Sequence, residues 1–263
     1  MNRVKLFALQ ALVMVVFLGV WHLITTTSLF GEVKTTQFFF STPIAVLSRT
    51  WTQLTGGEIY WHLGITLTET VLAFVIGSAA GILFGFVFAR NDLLAAVFDP
   101  YIKASNALPR VVLAPIFALW FGLGIWSKVA LGFTLVFFIV FFNVYQGVRE
   151  VSPTVLANAR MLGMNERQLF RHVYWPSALT WMFSSLHTSV GFALVGAVVG
   201  EYLGSSAGLG YKIHEAESVF DVTGVFSGML ILAIFVIMID SLVTMVERKL
   251  LVWRPGQSST TTT

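Results

Sequence analysis

Long apolar stretches alternate with short polar segments along this chain, and their lengths suit a lipid bilayer. A helix needs about 20 largely apolar residues to cross a ~30 Å hydrocarbon core. Five stretches meet this requirement, over residues 6–24, 66–88, 125–145, 179–203 and 225–243. The pattern therefore predicts an all-α, polytopic membrane protein.

A sixth crossing is predicted where prolines interrupt the apolar pattern. Residues 111–123 are apolar but would give only about 20 Å of helix at 1.5 Å per residue. Pro109 and Pro115 flank or interrupt this stretch. We therefore expect the helix to start earlier, near residues 93–107, and to break or kink at the prolines.

The N-terminal part of the chain is predicted to be separate from the transmembrane core. Arg3 and Lys5 precede the first apolar stretch as in a signal peptide, but no small-residue cleavage site follows, so we interpret it as an uncleaved span. Residues 44–54 are amphipathic and predict a helix lying at the membrane interface. The predicted parts are an N-terminal span with a periplasmic interfacial segment, a transmembrane core and a disordered tail, at residues 1–59, 60–250 and 251–263.

Three glycines in the second apolar stretch are spaced four residues apart. Gly77, Gly81 and Gly85 would lie on one helix face, where another backbone can approach closely. The alternative is that glycine is simply common in membrane helices. We favour close packing of this helix in a bundle.

Composition supports the membrane assignment and excludes other classes. The chain is 56% hydrophobic and only 11% charged, whereas soluble domains carry about 25% charged residues. This balance excludes a disordered chain, a nucleic-acid-binding domain and an ordinary cytosolic enzyme. The absence of cysteine excludes disulfides and thiolate chemistry.

The distribution of positive charge predicts the orientation. With six spans, 11 of the 16 Lys and Arg residues fall in segments on the side of the termini and 4 on the other, while Arg110 lies near a boundary. Cytoplasmic loops carry an excess of Lys and Arg. We therefore expect both termini to lie in the cytoplasm.

The longest predicted inner loop, residues 146–178, contains many residue types that begin and end helices. In order, these residues are Ser152, Pro153, Gly163, Asn165, Gln168 and Pro176. They predict two short helices that meet at Gly163, with the second ending at Pro176. The loop could dock a partner, or it could be a basic loop that only sets orientation. Two capped helices favour docking.

This loop resembles the EAA motif of bacterial ABC importer permeases. That motif runs E-A-A, three residues, Gly, nine residues, Ile, one residue, Leu-Pro. The matching positions here are Ala159, Gly163, Val173 and Pro176, and the departures are Ala157, Asn158 and Trp175. Residues 105–128 and 200–213 further resemble the nitrate, sulfonate and taurine branch of that superfamily. Glu69 departs from this branch, which often has arginine in the second span.

The resemblance implies a type I importer fold of about six helices around one translocation path. It implies a second permease subunit, in a homodimer, and a coupling helix over residues 152–176 seated on a cytoplasmic ATPase dimer. It also implies a periplasmic or lipid-anchored binding protein, location in a bacterial inner membrane, and contact with lipid but not with nucleic acid. The solute would be small, and members of the branch take up anions or, in some cases, neutral vitamin precursors; an anion is expected here, with Arg110 as the candidate to bind it. ATP and magnesium would be bound by the ATPase, since this chain has no phosphate-binding G-x-x-x-x-G-K-[ST] motif and needs no cofactor. The coupling residues would be Ala159, Arg160, Gly163, Glu166, Phe170, Val173 and Pro176.

Ionisable residues within predicted spans are costly and are therefore functional candidates. We expect Glu69 to be hydrated near the outer end of its span. Arg110, His187 and Glu201 are candidates for the path or gate, with a structural pair or helix cap as the alternative. Asp240 is assigned a structural or interfacial role.

Two other classes of function compete with the importer permease. A secondary transporter predicts mid-membrane carboxylates and inverted repeats. An intramembrane enzyme needs a catalytic constellation at membrane depth. The acidic residues lie near predicted span ends and the five histidines show no metal-ligand spacing, so the sequence favours the permease.

Overall fold

The computed structural model describes residues 3–28 and 31–250, which form helices joined by short turns and include no β-strand. The predicted disordered tail, residues 251–263, lies outside the described residues. The helices are α1 (Arg3–Thr26), α2 (Val33–Phe40), α3 (Pro43–Gly56), α4 (Glu58–Arg90), α5 (Asp92–Ala107), α6 (Ala114–Phe121), α7 (Ile125–Arg149), α8 (Pro153–Met161), α9 (Glu166–Leu169), α10 (Trp175–Leu203), α11 (Leu209–Ser218) and α12 (Val222–Leu250).

Within the part of the chain that the structure describes, five helices are long and apolar enough to cross a membrane by themselves, namely α1, α4, α7, α10 and α12. The helices α5 and α6 pass the same test only as a pair, which is bent by 87°. A 3₁₀ turn, Arg110–Leu113, joins the two after Pro109. The predicted break at the prolines is therefore confirmed, and the bend follows from the missing proline N–H and the fixed proline φ.

The core is formed where α4, α7 and α10 approach one another closely. Three glycines of α4 each face a valine of α7, in the pairs Gly77–Val136, Gly81–Val140 and Gly85–Val144. A Cβ atom built on any of these glycines would come within 2.8–2.9 Å of the valine Cβ. The predicted close packing of the glycine face is confirmed.

The same three pairs show that α4 and α7 run in the same direction, since the residue numbers increase together. The chain between them must therefore return to the opposite end of the bundle, and α5 with α6 makes that sixth passage. At one end Arg149 pairs with Asp92, and at the other Gly204 lies beside Leu123. The end of the bundle that carries residues 150–176 is called the loop end. The end that carries residues 204–210 is called the turn end.

Three shorter helices lie at the turn end. The predicted amphipathic helix is confirmed as α3, whose Thr50 hydroxyl lies 3.0 Å from that of Ser227 in α12 while Trp51 is exposed. The helices α2 and α11 lie in segments for which the apolar pattern predicts none. Helix α11 starts inside the glycine-rich segment 204–210 and connects directly to the beginning of α12.

Candidate functional site

The protrusion at the loop end begins with α8, which ends at a glycine in the left-handed conformation. Gly163 has a φ of +80°. Its N–H donates to the carbonyl of Arg160 at 2.9 Å, and the N–H of Met164 donates to that of Ala159 at 3.2 Å. This pair of hydrogen bonds satisfies carbonyls that a helix end leaves open. The prediction that the helix ends at Gly163 is confirmed.

The second helix of the protrusion begins with a capping box. The Asn165 side chain accepts from the N–H of Gln168 at 2.9 Å, and the Gln168 side chain accepts from the N–H of Asn165 at 2.9 Å. Two N–H groups that would lack partners at the helix start are therefore satisfied. The sequence prediction of this cap is confirmed.

The prediction that this second helix ends at Pro176 is wrong. Helix α9 continues through a π-helical turn, Phe170–Tyr174, directly into α10, and Pro176 lies in the first turn of α10. The N–H of Trp175 donates to the carbonyl of Phe170, five residues back. This wider turn accommodates a proline that an uninterrupted α-helix would exclude.

Side chains from α4 hold the protrusion in place. Phe86 stacks on Trp175 with ring centroids 5.5 Å apart and lies 5.4 Å from the ring of Phe170. Arg90 pairs with Glu166 at 2.5 Å and lies over the ring of Tyr174. The protrusion is therefore tied to the core by both apolar and ionic contacts.

The tip of the protrusion is apolar and exposed. Met161 and Leu162, beside Gly163, are 79% and 80% exposed. The predicted coupling residues divide by environment, and only some of them are accessible. Those with exposed side chains or backbone are Arg160, Gly163, Glu166 and Pro176, and those wholly or partly buried are Ala159, Phe170 and Val173.

A buried polar cluster lies at the turn end, and sequence reasoning found only part of it. Glu201 is fully buried, and its carboxylate accepts from the hydroxyl of Thr66 at 2.6 Å and from the N–H of Gly210 at 2.7 Å. Glu201 lies near the C-terminal end of α10, as expected, and its position on the outer side stays a prediction. The hydrogen bond from Gly210 ties the turn 204–210 to Glu201.

Two further backbone groups of that turn bind α4. The N–H of Gly208 donates to Nδ1 of His62 at 3.0 Å, and the N–H of Leu209 donates to the hydroxyl of Thr66 at 3.0 Å. Three successive N–H groups are therefore bound by side chains of α4 and α10. The two partners on α4 lie more than 140 residues from the turn in sequence, and no local pattern singles out His62 or Thr66.

The expectation that Glu69 is hydrated is wrong. Its side chain is buried, with a relative exposure of 1%, because the glycine-lined contacts bring α4, α7 and α10 close together around it. Lys128 of α7 is equally buried and donates to the carbonyls of Leu123 and Gly124 at 2.6 and 3.1 Å. Sequence reasoning placed Lys128 on the outer side but gave it no role.

Arg110 and His187, the other two predicted path residues, lie elsewhere and apart. Arg110 occupies the bend between α5 and α6, where its guanidinium lies over the ring of Phe138, 5.1 Å from the centroid. His187 lies in α10 with Nε2 3.5 Å from a carboxylate oxygen of Asp240. The structure therefore does not bring Arg110, His187 and Glu201 together.

Helix α11 is joined to α4 by an ion pair outside the spans. Lys212 lies 3.3 Å from a carboxylate oxygen of Glu58 and 2.6 Å from one of Glu215. Partial burial by itself would lower the pKa of Lys212, but hydrogen bonds to both carboxylates outweigh it, and the pKa is raised. The ammonium therefore stays charged and links the two helices.

A bundle with six membrane passages and a braced protrusion at one end defines an α-helical, polytopic membrane protein. Residues 77–252 match the family described as the binding-protein-dependent transport system inner membrane component. The chain belongs to this family, whose members are translocating subunits and not enzymes.

Individual relatives and a solved structure agree with this membership. The chain is 31% identical to the Bacillus subtilis protein named as an aliphatic sulfonates transport permease, SsuC, over 91% of this chain and 85% of the relative. It is 34% identical to the formylaminopyrimidine transport permease protein ThiX of Halalkalibacterium halodurans, over 84% of this chain and 88% of the relative. A chain of the inward-facing MetNI methionine ABC transporter superposes with a TM-score of 0.58 at 18% identity, covering 76% of this chain and 96% of that one. The predicted type I importer fold and superfamily branch are confirmed.

Proposed function

We propose that this chain is the permease subunit of an ATP-driven importer, in which a binding protein delivers a small anionic solute to a path between two copies of the chain. The observation that carries this proposal is the exposed apolar tip at Met161 and Leu162, held on a protrusion that is capped and braced. A tip this exposed and apolar is costly in water and suits insertion into a partner's groove.

The partner that fits the tip is an ATPase dimer, which would bind ATP and magnesium. Arg160, Arg167 and Arg171 are exposed on the segment that carries the apolar tip and are suited to acidic groups on the rim of a groove. The excess of positive residues at the loop end supports a cytoplasmic position for this face, in the inner membrane of a bacterium.

The solute is proposed to be an anion because of Arg110. Its guanidinium lies at the bend of a broken span, and interrupted helices often form substrate sites in transporters. The similarity to SsuC, which is named for sulfonates, supports the same class of solute. Uptake of a labelled sulfonate that requires Arg110 would test this assignment.

The ATPase contact is tested by placing charge in the apolar tip. We expect Leu162→Asp and Gly163→Asp to abolish co-purification of a co-expressed ABC ATPase, since the first puts a carboxylate into an apolar groove and the second replaces the residue that ends α8. The matched control is Val219→Asp, which changes a residue 70% exposed at the turn end and should leave the complex intact.

Full co-purification with both tip variants would show the assignment of the tip to be wrong. Uptake into vesicles distinguishes the competing class of transporter. The importer requires ATP and the binding protein, whereas uptake driven by a proton or sodium gradient alone would identify a secondary transporter.

A further inference from the structure

Three ionisable side chains are buried together at the turn end, on three different helices. Glu69, Lys128 and Glu201 have relative exposures of 1%, 1% and 0%. Burying a charge is costly unless it is paired and hydrogen-bonded. Two carboxyl groups and one ammonium group therefore require a common explanation.

The charges of this cluster balance if the two carboxyl groups hold one proton between them. Glu69 lies one helical turn after Thr66, whose hydroxyl donates to Glu201. Lys128 lies against Gly200, the residue before Glu201, where a Cβ would come within 3.0 Å of the lysine side chain. Two adjacent carboxylates repel each other strongly at a buried site, so one of them holds a proton. One carboxylate, one carboxylic acid and one ammonium group are together neutral.

The hydrogen bonds indicate which carboxyl group carries the negative charge. Glu201 accepts from two donors, Thr66 and Gly210, which favours its ionised form. One oxygen of Glu69, Oε2, is buried and has no hydrogen-bond partner among the described residues. Glu69 is therefore suited to be the acid that donates to Glu201. His62, which binds the N–H of Gly208, is a further titratable group that touches the turn.

We infer that Glu69 and Glu201 share one proton and, with Lys128, form a buried clasp that fixes the turn 204–210 to the ends of α4, α7 and α10. The clasp makes the turn ends of these three helices one rigid unit that includes the start of α11. Its role in transport rests on the proposed function, in which this end would open and close towards the binding protein. The clasp itself is a property of the fold.

The experiment measures how often the turn opens in the full-length protein, purified in detergent. Leu209 is 1% exposed and the chain has no natural cysteine, so the rate of thiol labelling of Leu209→Cys reports release of the turn. In this background we expect Glu201→Gln to raise the labelling rate at least about tenfold. Glutamine has one acceptor oxygen, whereas Thr66 and Gly210 each bind a separate oxygen of Glu201, and the change also removes the negative charge that balances Lys128. Glu69→Gln should change it less than about twofold, because glutamine matches the protonated acid.

Two controls separate this effect from general loosening. Ser206 is already exposed, so a cysteine at this position (Ser206→Cys) should be labelled at the same rate in every variant. Glu215→Gln removes a half-exposed carboxylate of α11 and should leave labelling of Leu209→Cys unchanged. Lys128→Met combined with Glu201→Gln should label more slowly than Glu201→Gln alone, because the pair of changes restores neutrality.

Equal acceleration by Glu69→Gln and Glu201→Gln would overturn the shared proton, and no acceleration by either would overturn the clasp. If Glu201→Gln yields no folded protein, the comparison of Glu69→Gln with Lys128→Met/Glu201→Gln decides the same question. Co-purification of the ATPase is measured on the same samples. If the proposed function is wrong, the ATPase does not co-purify with the unmodified chain, and the labelling results are unaffected.

Discussion

Gly208 illustrates how one residue can be required by two separate physical constraints. Its φ of +113° is a conformation that side chains with a Cβ rarely adopt. A Cβ at this position would also lie 2.1 Å from the carboxyl carbon of Glu201, which is closer than real contacts allow. The residue therefore serves both the course of the turn and the space for a buried carboxylate.

The two constraints can be separated by comparing two glycines. Gly57 also has a positive φ, +83°, but a Cβ there would meet no atom within 4 Å. We expect Gly57→Ala to cost about 1–2 kcal/mol from backbone strain alone. Gly208→Ala should cost about 2 kcal/mol more, because the overlap with Glu201 adds to the strain. Thermal unfolding of both purified variants measures the difference, and equal shifts would show that the overlap is relieved at no cost.

The roles of single residues could be predicted from sequence only where the partners are close in the chain. Gly163 and the pair Asn165 and Gln168 act over three or four residues, so their spacing alone identifies the caps. His62 and Gly208 are 146 residues apart, and their contact exists only because α4 and α10 pack side by side. Lys128 was likewise identified only as a positive residue near a span end.

At the scale of elements, the packing of α4 depends on the absence of side chains at its three glycines. The glycine face allows α7 to approach until valine side chains contact the α4 backbone, which maximises dispersion contacts without a large apolar driving force. The other faces of α4 carry exposed apolar residues. We therefore expect the stability of the α4–α7 pair to fall when a larger side chain is placed on the glycine face of α4. The same change on another face of α4 should have little effect.

Gly81→Leu tests that sensitivity. A Cβ at residue 81 would lie 2.8 Å from that of Val140, so a larger side chain must push α4 and α7 apart, at an expected cost of about 3 kcal/mol. The matched control is Gly64→Leu on the same helix, where a Cβ would meet nothing within 4 Å. Thermal stability of the purified protein should fall for the first and stay within about 0.5 kcal/mol for the second. Similar losses in both would refute the face-specific packing.

The helices themselves were largely predictable because the bilayer sets their length. Each predicted span is present, but α4 begins at Glu58, eight residues before its apolar stretch, because a helix can continue past the hydrocarbon region into polar sequence. The error at Pro176 has a different origin. A proline normally ends a helix, and the π turn that accommodates it depends on the packing of Phe170 and Trp175 against α4.

At the scale of the whole molecule, the number of membrane crossings determines which segments lie on the same side of the membrane. The parallel course of α4 and α7 requires a return passage between them, and the bent pair α5 and α6 provides it. The loop end and the turn end therefore lie on opposite sides of the membrane. The excess of Lys and Arg at the loop end predicts that it is cytoplasmic.

This orientation is tested with single cysteines in a chain that has none of its own. We expect Ser206→Cys to react with a membrane-impermeant thiol reagent in intact cells, because the excess of Lys and Arg at the loop end predicts that the turn end faces outward. Arg160→Cys should react only after the membrane is permeabilised. Val155→Cys, on the same protrusion, should behave as Arg160→Cys does. Labelling of residue 160 from outside would reverse the assigned orientation.

The continuity of α9, the π turn and α10 has a mechanical consequence. From Glu166 to Leu203 the backbone is an unbroken helical rod of about 57 Å at 1.5 Å per residue. One end of this rod carries the contact surface beside Arg90, and the other carries Glu201 beneath the turn. A stiff rod transmits tilt over its whole length, so a push at the protrusion becomes a displacement at the far side of the membrane.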